Sequence, residues 1–168
     1  GEGEGVEVSS ASLFLAIGDD LQPTAAERLE TWVRTSSVLP VVDVAATDAV
    51  PSMPAGSQAL AFGRSTLRAS IVGDDVVAAV PAEGYVIKSA VLSNGVQAIG
   101  VDGADARGAA YGSYALLEAL GFAFFHPLAP TAPASWPTEL PDDATVNVTS
   151  SPRWQVRNIH LHTMHPLE

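Results

Sequence analysis

The chain has 168 residues, 47% hydrophobic and 16% charged, which fits one folded domain with a real core and excludes a disordered tract. A formal net charge of −11 opposes binding to nucleic acid or to an anionic membrane through bulk electrostatics. Without cysteine there is no disulfide framework, thiolate zinc site or cysteine nucleophile, and no apolar run reaches the roughly 20 residues of a membrane span.

Residues 1–11 open with GEGEGVEVSS, which lacks Met and a signal-type apolar core. This stretch reads as a flexible spacer, a processed mature terminus or an engineered boundary. Ser12–Ile17 (SLFLAI) is an apolar strand closed by Gly18-Asp19-Asp20. Thr24-Ala25-Ala26-Glu27 has the spacing of a capping box, with Thr24 covering the Glu27 amide and Glu27 reaching back. The helix it opens carries Ala25, Leu29, Trp32 and Val33 on one face and ends near Ser36. Val41–Ala45 is a second strand, which completes a β-α-β unit. A loop with Pro51 and Pro54 leads to a third strand, Gln58–Gly63. Residues 64–81 hold no firm period beyond a short helical turn near Asp74–Ala79.

Glu83–Phe125 organises the chain. Asn94-Gly95 suits a type I′ turn between strands Tyr85–Leu92 and Val96–Val101, since both residues tolerate positive φ. Neither arm alternates cleanly, so burial on both faces of the sheet is expected. A loop, Asp102-Gly103-Ala104, precedes a helix capped by Asp105, with Tyr111, Tyr114, Leu117 and Gly121 at helical spacing. Gly108 and Gly112 each cost a helix about 1 kcal/mol against alanine, so their use is close approach of helix backbone to sheet. Gly121 suits a left-handed helix stop, and Phe122–Phe125 is expected as a short buried strand.

From Pro127 the composition changes. Pro127, Pro130, Pro133, Pro137 and Pro141 mark residues 128–151 as an extended connector, docked back by Trp136, with a brief strand over Thr145–Val148. The last stretch, 152–168, reads PRWQVRNIHLHTMHPLE and is strand-like.

Two pieces of this sequence carry a family resemblance. One is Glu83-Gly84-Tyr85-Val86-Ile87 with its hairpin, followed by Arg107-Gly108-Ala109-Ala110-Tyr111-Gly112-Ser113-Tyr114 and Leu116-Leu117. The other is Pro152-Arg153-Trp154, Val156-Arg157-Asn158 and Ile159-His160-Leu161-His162. Together they resemble the α/β domain that precedes the catalytic (β/α)8 barrel in β-N-acetylhexosaminidases (family 20) and α-glucuronidases. In that family a P-R-F-x-x-R-G run forms the first barrel strand; here Asn158 stands in place of the usual glycine and His162 in place of aspartate.

The resemblance implies a non-catalytic accessory domain over 12–127 and the first strand of a barrel over 152–168, with the catalytic acids on later strands. It implies a carbohydrate substrate, the chain's own C-terminal barrel as partner, no cofactor, and work outside the cytoplasm. It also makes Arg157 a substrate-binding residue, joined by His160 and His162, within the completed barrel. A guanidinium fork suits two neighbouring hydroxyls or a carboxylate; the alternative is a structural arginine paired with an acid. His160 and His162 share a strand face and would suit zinc, yet only Glu168 stands near to complete a ligand set, so sugar contact or packing is the preferred reading.

No catalytic residue is assigned within the chain. The pairs Asp19-Asp20, Asp74-Asp75 and Asp142-Asp143 sit in turn or linker contexts, where aspartates cap backbone amides. The glycine-rich stretch 100–112 has neither G-x-G-x-x-G nor a GK[ST] ending, and no serine lies in G-x-S-x-G. The expected fold is α+β: a mixed sheet of about five or six strands with two main helices packed on one face, then a Pro-rich linker and one barrel strand. A free-standing carbohydrate- or protein-binding module, using aromatics such as Trp136 or Trp154, is the alternative.

Overall fold

The structure, a computed structural model, describes residues 10–125, 129–154 and 156–157. The fold is α+β, built on a mixed six-stranded sheet of order β2-β1-β3-β5-β4-β6. Strands β1 (Leu13–Ile17), β2 (Val41–Val44), β3 (Gln58–Phe62) and β5 (Gln97–Gly103) run parallel. Strand β4 (Tyr85–Val91) lies antiparallel to β5, and β6 (Val148–Ser150) antiparallel to β4.

Both faces of the sheet are covered along β1, β3 and β5, so the burial expected on both faces holds for the second hairpin arm, whereas the first, β4, is exposed or half-buried beyond Ile87. On one face Leu13, Leu15, Leu60, Phe62, Ile99 and Val101 pack beneath the two long helices, α1 (Pro23–Ser36) and α4 (Ala106–Ala119). On the other face the strands offer mainly small side chains, Ala16, Ala59, Ala61 and Ala98. That flat surface admits two short helices, α2 (Thr66–Ile71) and α3 (Asp74–Ala78), which carry Leu67, Ile71, Val76 and Val77 against it. They fill the stretch 64–81 where the sequence shows no period, and α3 coincides with its expected turn.

Helix α4 owes its position to three glycines. A Cβ on Gly103 would lie 2.1 Å from the Ala109 nitrogen, and one on Gly108 would lie 2.0 Å from the Gly84 oxygen. A Cβ on Gly112 would stand 2.6 Å from Val101 Cγ2. The two helical glycines therefore do bring helix backbone onto the sheet.

The hairpin turn is as expected. Asn94 has φ 60° and Gly95 φ 71°, with Val91 paired to Gln97 below them. Gly121 takes φ 97° just after α4.

Four local expectations are corrected. Helix α1 starts at Pro23 with Gln22 as its cap and no side-chain cap bond, so Thr24 and Glu27 form no capping box. Proline at the first helical position has its φ preset and no amide needing a partner. Asp102 and Gly103 belong to β5 rather than to a loop. Phe122–Phe125 forms no strand: one bridge joins Ala123 to Thr131, Phe122 is buried, and Phe125 is 89% exposed. The late strand is Val148–Ser150 rather than Thr145–Val148, because Asp143 Oδ1 accepts the Thr145 amide (2.9 Å) and holds a turn there.

Residues 129–147, read from their prolines as a connector, lie against the domain. Trp136, Leu140 and Val146 are buried in the same core as α1 and α4. The Trp136 indole N–H donates to Gln58 Oε1 at 2.8 Å, and Gln58 Nε2 donates to the Pro137 and Thr138 carbonyls.

Candidate functional site

Of the residues singled out by sequence, Arg157 is described, whereas His160 and His162 lie outside the described residues, as do His126 and His165. Arg157 reaches back to the start of β4. Its Nη2 pairs with Glu83 Oε2, and its guanidinium carbon lies 5.6 Å from the centroid of the Tyr111 ring on α4. This is the acid-paired arrangement that stood as the alternative to a sugar contact.

Glu83 anchors a compact junction. It has φ 57°, an uncommon value for a residue with a side chain, and its amide donates to Asp105 Oδ2 at 2.8 Å. Asp105 Oδ1 accepts the Gly108 amide at 2.9 Å, so one carboxylate caps α4 and pins the turn before β4. These backbone donors, Gly108 first and then Glu83, hold the Asp105 carboxyl below the usual carboxylate range. Glu83 Oε1 takes a second cation, Arg107 Nη1, at 2.9 Å. The carboxylate thus bridges Arg107 of α4 and Arg157.

A separate group of three aromatic side chains joins α4 to α1. Tyr114 packs edge-on to Phe124 (5.2 Å between centroids), and Trp32 of α1 lies 5.7 Å from Phe124 and 6.2 Å from Tyr114. Phe125, Trp154 and Val156 are each at least 70% exposed. By contrast Trp136, the other aromatic of the binding-module reading, is buried at 3% and offers no platform.

A separate concavity lies at the carboxyl ends of the parallel strands. From β1 the chain passes to α1 on one face; from the adjacent β3 it passes to α2 on the other. Chain connections diverging from neighbouring strands leave a crevice between them. Here it measures about 1040 Å³, with Asp19, Asp20, Arg64, Ser65, Asp74 and Asp102 in its lining. Asp20 Oδ1 accepts the Arg64 amide at 2.7 Å, which ties the two diverging loops together.

Arg68 and Asp102 form the crevice's buried charge pair. Both side chains are under 5% exposed, with Nε 2.8 Å from Oδ2, yet neither atom makes a hydrogen bond of good angle. Arg68 Nη1 donates to the Val72 carbonyl and to Asp74 Oδ1, while Asp102 Oδ1 accepts the Gly103 amide. Burial pushes the Asp102 carboxyl up, against the opposing pull of the Gly103 amide and the Arg68 charge. Sequence reading passed over both residues. The signal available was an arginine amid the apolar turns of TLRASI and an aspartate ending an apolar strand.

The aspartate pairs serve local structure. Asp20 caps a loop, Asp74 pairs with Arg68, and Asp143 holds a turn through Thr145, which keeps its carboxyl below the usual range. Among the described residues no three His, Asp or Glu side chains cluster as metal ligands, and no helix is long and apolar enough to cross a membrane. No protein-family model, curated protein or solved structure matches the chain.

Proposed function

We propose that this chain is a non-catalytic accessory domain of a carbohydrate-degrading glycoside hydrolase, and that it braces the catalytic barrel following it. Support comes from the resemblance over residues 83–163 together with one observation: the outgoing segment is fastened to α4 by Arg157, through Glu83 and Tyr111. The motif residues Glu83, Gly84, Arg107, Gly108 and Tyr111 all meet at that junction. On this reading the docking side is the apolar surface past the Phe122 end of α4, where Phe125 is exposed. Secretion follows from action on a polymeric substrate.

The test is a pair of chains. The chain ending at Glu168 should hydrolyse no aryl glycoside, whereas a longer chain carrying the downstream residues should. In the longer chain Glu83→Gln should lower the barrel's melting temperature with little change in kcat. Glycosidase activity in the short chain would overturn the proposal. Arg157→Ala separates the two roles of that residue: a junction residue shifts stability, whereas a sugar contact mainly raises KM.

A further inference from the structure

We propose that the crevice at the carboxyl ends of β1, β3 and β5 is a second binding site, taking a neutral saccharide of one or two rings. The existence of a site rests on geometry alone; the choice of a saccharide also rests on the glycoside hydrolase reading. Adjacent parallel strands whose connections leave to opposite faces form the usual ligand crevice of open α/β sheets. At about 1040 Å³ this one is at the upper end of the range for small-molecule pockets.

Its lining selects the chemistry. Four aspartates accept hydrogen bonds and two arginines donate them, a mixture matched by a ring of hydroxyls that do both. The excess of carboxylates opposes phosphates and uronates. Among the described residues no aromatic side chain lines the crevice, so a nucleobase would find nothing to stack on. No cluster of three ligating side chains stands there among the described residues, which leaves hydroxyl recognition rather than metal binding.

Asp102 borders the crevice, 1% exposed, with its Oδ2 2.8 Å from Arg68 Nε and its Oδ1 accepting the Gly103 amide. That closed pair fixes the wall of the crevice and leaves ligand contact to the exposed Asp19 and Arg64.

The crevice lining includes none of the junction residues Glu83, Arg107, Tyr111 and Arg157. Its test is therefore distinct from that of the bracing role. Amide NMR titration of the 168-residue chain should use xylobiose, diacetylchitobiose, glucuronate and inorganic phosphate as probes. At least one of the two disaccharides should shift the amides of Asp19, Arg64, Gly103 and Ala104 in a saturable way. Glucuronate and phosphate should leave them in place.

Asp19→Ala and Arg64→Ala, both at exposed positions, should keep the spectrum of the fold and weaken binding about tenfold, a change of about 1.4 kcal/mol. Absence of shifts with both disaccharides, or shifts confined to Tyr111 and Trp154, would overturn the assignment. So would equal binding of glucuronate. If the crevice titration fails while Glu83→Gln still loosens the barrel, the bracing role stands without it; the reverse result makes the chain a binding module.

Discussion

Gly108 of α4 lies against Gly84 so closely that a Cβ on Gly108 would fall 2.0 Å from the Gly84 carbonyl oxygen and 2.9 Å from its carbon. The obstacle is backbone, which no rotamer change can move. Gly108→Ala would gain about 1 kcal/mol of helix propensity. The forced separation of α4 from β4 should exceed that gain, leaving a net loss of about 1–3 kcal/mol in urea unfolding. An alanine variant as stable as the parent would contradict the close approach.

Asp105 should show its double cap in a pH series. Its folded carboxyl releases its proton more readily than the unfolded one, whose ordinary value is 3.8. The stabilisation is therefore fully present above that value and is lost as pH falls through the lowered folded one. Asp105→Ala should cost about 1–2 kcal/mol at neutral pH. Parent and variant should converge in thermal melts taken below about pH 4. A constant difference across that range would contradict the assignment.

The Arg68–Asp102 pair has the opposite sign. Burial raises the folded Asp102 value above 3.8, so the folded chain binds this proton more tightly than the unfolded chain. The contribution of this group to stability accordingly improves as pH falls through the raised value. Arg68→Met removes the compensating charge and should cost about 3–5 kcal/mol at neutral pH. Part of that loss should return on acidification, as Asp102 takes up its proton. Replacing both residues with apolar ones, Arg68→Met with Asp102→Leu, should restore most of the stability; a double variant no better than the single one would contradict the pairing.

Trp136 links the proline-rich segment to β3. Trp136→Phe keeps a ring in the core but leaves Gln58 Oε1 without its donor, so denaturant unfolding should detect a loss of about 1–3 kcal/mol. Trp136→Ala should cost about 3–5 kcal/mol. If 129–147 were a free connector, both substitutions would be silent.

The parts of the fold legible in the sequence are those fixed by local chemistry. Asn94-Gly95 specified a turn because two consecutive positive φ values admit few other residues. Gly108 and Gly112 pointed to backbone contact because glycine in mid-helix otherwise only weakens it. What escaped notice depends on distant partners. Helix α2 is too short to display a period and α3 showed only as a turn; both are held by the flat alanine face beneath them. Trp136 could be read as an anchor because it is a lone tryptophan among prolines, but Leu140 and Val146 are spaced irregularly there, so their burial has no pattern to read. The crevice draws on residues from Asp19 to Asp102, which only the parallel pairing of β1, β3 and β5 brings together.

Strand β6 carries a temporal consequence. Its pairing of Ser150 with Tyr85 covers the outer side of β4 with some of the last residues described. On a ribosome the amides along that side stay open until nearly all of the domain has been made, since domains fold as units while synthesis proceeds. Completion of the sheet and arrival of Arg157 at Tyr111 then follow one another within a few residues of synthesis.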